Sequence, residues 1–255
     1  LRRMTLEIAR RVLVTGGTSN LGRAIVKRLT EEGSRVVFTG RNSVIGNALS
    51  KETGATFLLG DTCIDGEVEA IVQRTRITLG GLDGLVLNAG VLHNARISET
   101  TDDAWDNVIN TNLVSPFLFA RFCMAMLAEC GGSIVTIASG TALWTEMELG
   151  AYSVSKRALL WLTQMLAVEG ATRGVNVNAI CPGDTESGMA AYVGEEPSPY
   201  LHSPALPPLG RHAVPDDIAS AVIFFLGSES AFCTGASLVV DGGMRAALRA
   251  NKVRA

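Results

Sequence analysis

Short aliphatic and β-branched runs recur along this 255-residue chain, each followed by a stretch with helical spacing. The runs fall at 10–15, 34–39, 55–59, 82–87, 132–138, 175–180 and 237–241. They are apolar throughout rather than alternating, so both faces are expected to be buried, as in a parallel sheet covered by helices. Helical periodicity fills the intervals at 21–32, about 43–53, 66–79, 101–129, 151–173 and 215–227. This alternation predicts a doubly wound α/β fold of the Rossmann type. Its seven-stranded parallel sheet carries helices on both faces and binds ligands at the carboxyl ends of the strands. With no internal repeat and no linker-like segment, residues 1–255 read as a single domain.

Composition excludes several function classes. A 47% hydrophobic content with 27 glycines indicates a large core and many tight turns. The net charge of −3 and the scattered basic residues speak against nucleic-acid binding. No apolar run reaches the length needed to cross a bilayer, so no membrane partner is expected. LRRMTLEIARR is too short and too charged for a secretory signal; Met4 reads as the natural start and residues 1–3 as an upstream remnant. The five cysteines (63, 123, 130, 181, 233) are dispersed and odd in number, which suits reduced thiols in a cytoplasm. Three separated histidines and no CxxC argue against a metal.

One segment breaks the rhythm. Five of the eight prolines fall at 197–208, inside TESGMAAYVGEEPSPYLHSPALPP. A long irregular stretch after the sixth strand is commonly an active-site cover, so 184–208 is expected to act as a substrate lid.

Two constellations carry chemistry. The first strand runs into TGGTSNLGRAIVKRL, a glycine-rich turn that opens a helix. Free N–H groups at a helix N-terminus favour a pyrophosphate. Gly16 permits the tight turn and Gly22 close helix–strand packing, with Thr18, Ser19, Asn20 and Leu21 lining the turn. An acidic residue at the end of the second strand would bind the adenosine ribose and select NAD. Gly40 occupies that slot and Arg41 follows, so NADP is favoured over NAD. Asp61 is placed to accept from the adenine amino group, or is an ordinary turn aspartate. In GAYSVSKRALLWLTQML, Tyr152 and Lys156 share a helix face, and Ser139 ends the fifth apolar run. An ammonium beside a phenol stabilises the phenolate, which predicts a lowered Tyr152 pKa and a proton exchanger for a carbonyl/alcohol pair.

Together these motifs resemble the short-chain dehydrogenase/reductase family in its short single-domain branch, over nearly the whole chain. TGGTSNLG looks like the family's cofactor turn, and LNAG (Asn88, Ala89, Gly90) is similar to its NNAG segment. Asp61-Thr62 matches the adenine-contact position, INTNLVSPF puts Asn112 at the catalytic asparagine, and CPGD (Pro182, Gly183) resembles the Pro-Gly motif. Residues 208–243 are similar to the C-terminal signature.

The sequence departs from the pattern at four places. Asn20 replaces a glycine, acceptable because asparagine tolerates left-handed backbone angles. Ser19 stands where NADP-dependent members often carry a basic residue. Thr185 and Ser187 replace an aliphatic residue and a threonine near the nicotinamide carboxamide.

The resemblance implies reversible hydride transfer between a nicotinamide and a ketone or secondary alcohol. Tyr152 is then acid/base and Ser139 the donor to the substrate oxygen. Lys156 tunes the tyrosine and binds ribose, and Asn112 orders a water beside the lysine. Pocket candidates are His93, Asn94, residues 143–149 and residues 189–202. Trp144, Met147, Met189 and Tyr192 suit an apolar wall, and Glu146, Glu148, Glu186, His93 and His202 equally suit a polar rim, with the glutamates solvated. Other readings are a 3-oxoacyl-thioester (acyl-carrier-protein) reductase and a non-catalytic redox sensor that binds NAD(P). The resemblance further implies a homotetramer or homodimer, for which apolar helical surfaces at 113–127 and 157–168 are available. The basic tail at 245–255 either reaches toward a neighbouring subunit or stays unstructured.

Overall fold

The structure, a computed structural model, describes residues 10–64, 66–146, 148–186 and 206–251. Its strands are β1 (Arg11–Val14), β2 (Arg35–Gly40), β3 (Thr56–Leu59), β4 (Gly84–Leu87), β5 (Ser133–Ile137), β6 (Asn176–Pro182) and β7 (Ser237–Val240). All pair in parallel, in the order β3-β2-β1-β4-β5-β6-β7. The chain reverses direction between β1 and β4, which opens a crevice at the carboxyl ends of those strands.

The helices are α1 (Asn20–Glu31), α2 (Ser43–Thr53), α3 (Glu67–Leu79), α4 (Asp102–Ile109), α5 (Ser115–Ala128), α6 (Gly150–Ala171), α7 (Pro215–Leu226) and α8 (Met244–Asn251). Two cores sandwich the sheet. One joins Val12, Val14 and Phe38 to Ile25 and Leu29 of α1 and to Val222 and Phe225 of α7. The other joins Leu13, Leu85 and Ile134 to Ile71 of α3, Phe119 of α5 and Leu166 of α6. Successive strand residues thus point into opposite cores, which is why the runs carry no polar alternation. At the amino ends of the strands, Arg11 grips Asp83 through two side-chain bonds of 2.9 and 2.7 Å. This holds the carboxyl at about 2, well below the usual range.

The expected continuous helix over 101–129 is a correction. A widened five-residue turn, Asn110–Val114, separates α4 from α5. Ser115 N–H reaches back five residues to Asn110 O. Pro116 has no N–H, so the carbonyl four residues before it, that of Asn112, has no helical partner at that spacing. The interval from Asp102 to Ala128 is long and apolar enough, by length and composition, to cross a membrane. In the structure 56% of its apolar window is buried inside the protein. The start of the basic tail is also ordered, as α8. The proposed lid from 187 to 205, with Ser187, Met189, Tyr192 and His202, and also Met147, lies outside the described residues.

Candidate active site

The glycine-rich turn is built from β1 outward. Gly16 has φ of 65°, a left-handed value suited to glycine. A Cβ there would lie 2.8 Å from the Ala89 backbone. Gly22 sits directly against the Gly16 carbonyl and leaves no room for a side chain. Ser19 caps α1, its Oγ accepting from Gly22 N–H at 3.0 Å. A basic residue at this position would forfeit that cap. Asn20 is the first residue of α1, and Glu148 is the one non-glycine with positive φ among the described residues. The tolerance expected of Asn20 is therefore not called upon. Its side chain instead bridges Arg23 (3.1 Å) and Glu186 O (3.3 Å).

Asn88 is spent on the scaffold. Its Nδ2 donates to the carbonyls of Thr15 and Gly16, each at 3.0 Å. Thr15 Oγ1 in turn accepts the N–H groups of Asn88 (3.1 Å) and Ala89 (3.0 Å). Thr15 was not singled out from sequence, although a hydroxyl at a buried strand end is the available signal. The cradle these residues form, narrow at both glycines and open over the α1 N-terminus, fits a dinucleotide pyrophosphate.

At the adenosine end, Gly40 is packed against Thr18, so any side chain at 40 would collide with it. A ribose-binding carboxylate is sterically excluded there. Arg41 is 64% exposed and its guanidinium lies 3.8 Å from Asp61 Oδ2. Asp61 Oδ1 accepts from Cys63 N–H at 3.0 Å, across Thr62. The two residues expected to contact different parts of a cofactor thus face each other.

Ser139, Tyr152 and Lys156 converge at the end of β5. Ser139 Oγ accepts from the N–H and the hydroxyl of Thr141, at 3.2 and 3.0 Å, which leaves its own proton to donate. Tyr152 is buried, and burial pushes its phenol up to about 12, against a hydrogen bond with Ser139 that lowers it and nearby Glu146 that raises it. The predicted lowering by Lys156 is a second correction. Lys156 Nζ lies 5.7 Å from the Tyr152 ring centre and donates to Ile137 O at 2.9 Å. With 1% exposure, the lysine is itself pulled down to about 8 by burial. Desolvation is the largest influence on both groups.

Asn112 is wholly buried. Its Oδ1 accepts from Val91 N–H (2.8 Å), and its Nδ2 donates to Val91 O (2.9 Å) and Ser155 Oγ (3.0 Å). Both amide protons are therefore used to lock the widened turn between the 88–91 loop and α6. What Asn112 can offer a water is its main-chain carbonyl, freed by Pro116.

Around this cluster the polar rim is mixed. Ala95 N–H donates to Glu148 O at 2.8 Å, which fixes His93 and Asn94 beside the start of α6. His93 Nε2, both polar atoms of the Asn94 amide and Ser153 Oγ are buried without a partner among the described residues. Glu148 is not solvated as expected; its side chain is 13% exposed, 3.8 Å from Arg96, and its φ is 65°. Trp144 packs on Gly140, and its Nε1 donates to Glu146 at 2.8 Å. After β6, Pro182 and Gly183 lead to Thr185, whose Oγ1 donates to Gly183 O at 3.2 Å.

Comparison with known proteins points one way. A family model described as enoyl-(acyl carrier protein) reductase matches residues 16–245. The chain is 34% identical over 245 residues to 2-(S)-hydroxypropyl-CoM dehydrogenase 3 of Xanthobacter autotrophicus, covering 92% of this chain and 96% of that one. It is 32% identical to L-fucose dehydrogenase of Mus musculus over 238 residues, 91% and 87% of the two chains. It is also 32% identical over 235 residues to the 3-oxoacyl-acyl-carrier-protein reductase of Escherichia coli, 91% and 96% of the two chains.

Proposed function

The chain belongs to the short-chain dehydrogenase/reductase family and is an NAD(P)-dependent oxidoreductase, and we propose that Tyr152 is the acid/base of its carbonyl/alcohol chemistry. The observation that carries this reading is the convergence of buried Tyr152 and Lys156 with half-buried Ser139 at the end of β5. The nicotinamide supplies or takes the hydride when bound. Ser139, with two donors already fixed on its oxygen, directs its proton at the substrate oxygen and stabilises charge developing there. Tyr152 gives that oxygen its proton in reduction and removes it in oxidation. Lys156 keeps two N–H bonds free of protein partners among the described residues, available to ribose hydroxyls. The Asn112 carbonyl holds the water that returns the proton to solvent.

We read NADP as the preferred cofactor. Thr18 bars a carboxylate from position 40, and among the described residues Arg41 is held only by an exposed contact with Asp61, worth little in water. A 2′-phosphate offers Arg41 a stronger bidentate partner. NADPH is expected to bind at least tenfold tighter than NADH by fluorescence titration, and Arg41→Ala to erase that margin. Equal affinities in the wild-type protein would demote Arg41 to a surface residue.

The unpartnered atoms of His93, Asn94 and Ser153 favour a polar small-molecule substrate over a plain hydrocarbon one. A thioester of an acyl carrier is the second reading, supported by likeness to the Escherichia coli reductase. Five free thiols suit a reducing cytoplasm. Trp161, Met165 and Val168 form an exposed apolar stripe on α6, at 67, 49 and 72%, and Phe117 of α5 is exposed as well. That stripe supports assembly into a homodimer or homotetramer. Trp161→Glu is expected to lower the mass measured by light scattering to that of a smaller species; an unchanged mass rejects this surface.

A further inference from the structure

At the far edge of the site the sheet ends in a corner that the chemistry above leaves unused. Cys181 of β6 is paired with Val239 of β7, and Gly183 N–H donates to Val240 O at 2.9 Å. Gly183 packs against Asp241, and the chain then turns through Gly242 and Gly243 into α8. The Asp241 carboxylate is engaged by the turn, accepting from the N–H groups of Gly243 (2.9 Å) and Arg245 (2.8 Å). Leu209 N–H donates to Gly242 O at 3.1 Å and braces the turn from outside. A cleft of about 470 Å³ opens here, lined by Val239, Asp241, Gly243, Arg245 and Ala246.

Arg245 is half-buried, and its guanidinium has no hydrogen bond or ion pair among the described residues. Arg245 lies within electrostatic range of the buried thiol of Cys181, as does Lys156. Arg245 thus shares a buried neighbour in β6 with Lys156 of the catalytic cluster. It stands on the β6–β7 side, whereas the dinucleotide cradle is built at β1, β2 and β4. A substrate whose carbonyl meets Ser139 and Tyr152, and whose other end runs along the strand ends away from the cradle, would approach this corner. A guanidinium's planar fork matches a carboxylate, sulfonate or phosphate. The carboxylate of the neighbouring Asp241 is engaged in capping α8.

We propose that Arg245 anchors an anionic group on the substrate, so that the enzyme prefers keto acids and their hydroxy counterparts to neutral carbonyls of the same size. This rests on the reading that Ser139 and Tyr152 receive the carbonyl oxygen. The test uses levulinate and its methyl ester, which share the ketone and differ in charge. Binding of each to the NADP-saturated protein is measured by calorimetry, for wild type, Arg245→Ala, Arg245→Lys and Tyr152→Phe. Levulinate is expected to bind at least tenfold tighter than the ester in wild type and in Tyr152→Phe. The margin should vanish in Arg245→Ala and return in part in Arg245→Lys. No margin in wild type, including no binding of either compound, overturns the proposal, as does a margin that survives Arg245→Ala. Because binding needs no turnover, an active Tyr152→Phe would remove the acid/base assignment while leaving the charge preference to be judged separately.

Discussion

Replacing Lys156 by methionine is expected to stabilise the fold and to abolish useful turnover at once. The ammonium is buried, with one protein hydrogen bond among the described residues to offset its lost hydration. A fall in pKa from 10.5 to about 8 corresponds to about 3 kcal/mol of unfavourable burial. Methionine fills similar space without the charge, though it leaves the Ile137 carbonyl unbonded, which costs about 1–3 kcal/mol. The net gain near neutral pH should therefore be about 1 kcal/mol, read as a higher urea midpoint.

The pH dependence carries the sign of the cause. Below pH 8 the lysine is charged in both folded and unfolded chains, and the whole penalty is present. Between pH 8 and 10.5 the unfolded chain binds more protons than the folded one, so wild-type stability rises relative to the variant. The variant's advantage should therefore shrink as pH approaches 10. Tyr152, at about 12 when folded, works in the opposite direction above pH 10, but it is common to both proteins. Turnover should fall at least 100-fold, because the residue proposed to hold ribose, behind the tyrosine, is gone. A variant less stable than wild type at pH 7, or an advantage that grows with pH, would show that Lys156 is paired more strongly than its surroundings indicate.

Much of the fold was legible because burial on both faces leaves an unmistakable composition in a parallel strand. Each of the seven runs became a strand, with boundaries shifted by up to two residues. The break in the long 101–129 helix was harder to read, since periodicity persists through it. Its cause, Pro116 removing the partner of the Asn112 carbonyl, lies in a single residue. The glycine turn was read correctly as a turn, but the work of Asn88 was not, because its amide points back into the scaffold. Charge effects were the least legible. Spacing brings Tyr152 and Lys156 to one helix face, yet it cannot say that burial dominates both. Likewise Glu148 and Arg245 look like surface charges until the Ala95 pairing and the α8 turn fix their places.

The central claim is that Tyr152 moves the proton in this enzyme's carbonyl chemistry. Loss of a general acid typically costs a factor of about 100 to 10,000, and phenylalanine removes only the hydroxyl while preserving the packing of a buried ring. The most direct measurement is the single-turnover rate of wild type and Tyr152→Phe on the best accepted ketone. Both proteins are first shown by fluorescence titration to be saturated with the same reduced cofactor. The account predicts unchanged cofactor affinity and a rate reduced about 1,000-fold. A variant that keeps more than a few per cent of the wild-type rate, with cofactor bound as before, would contradict it.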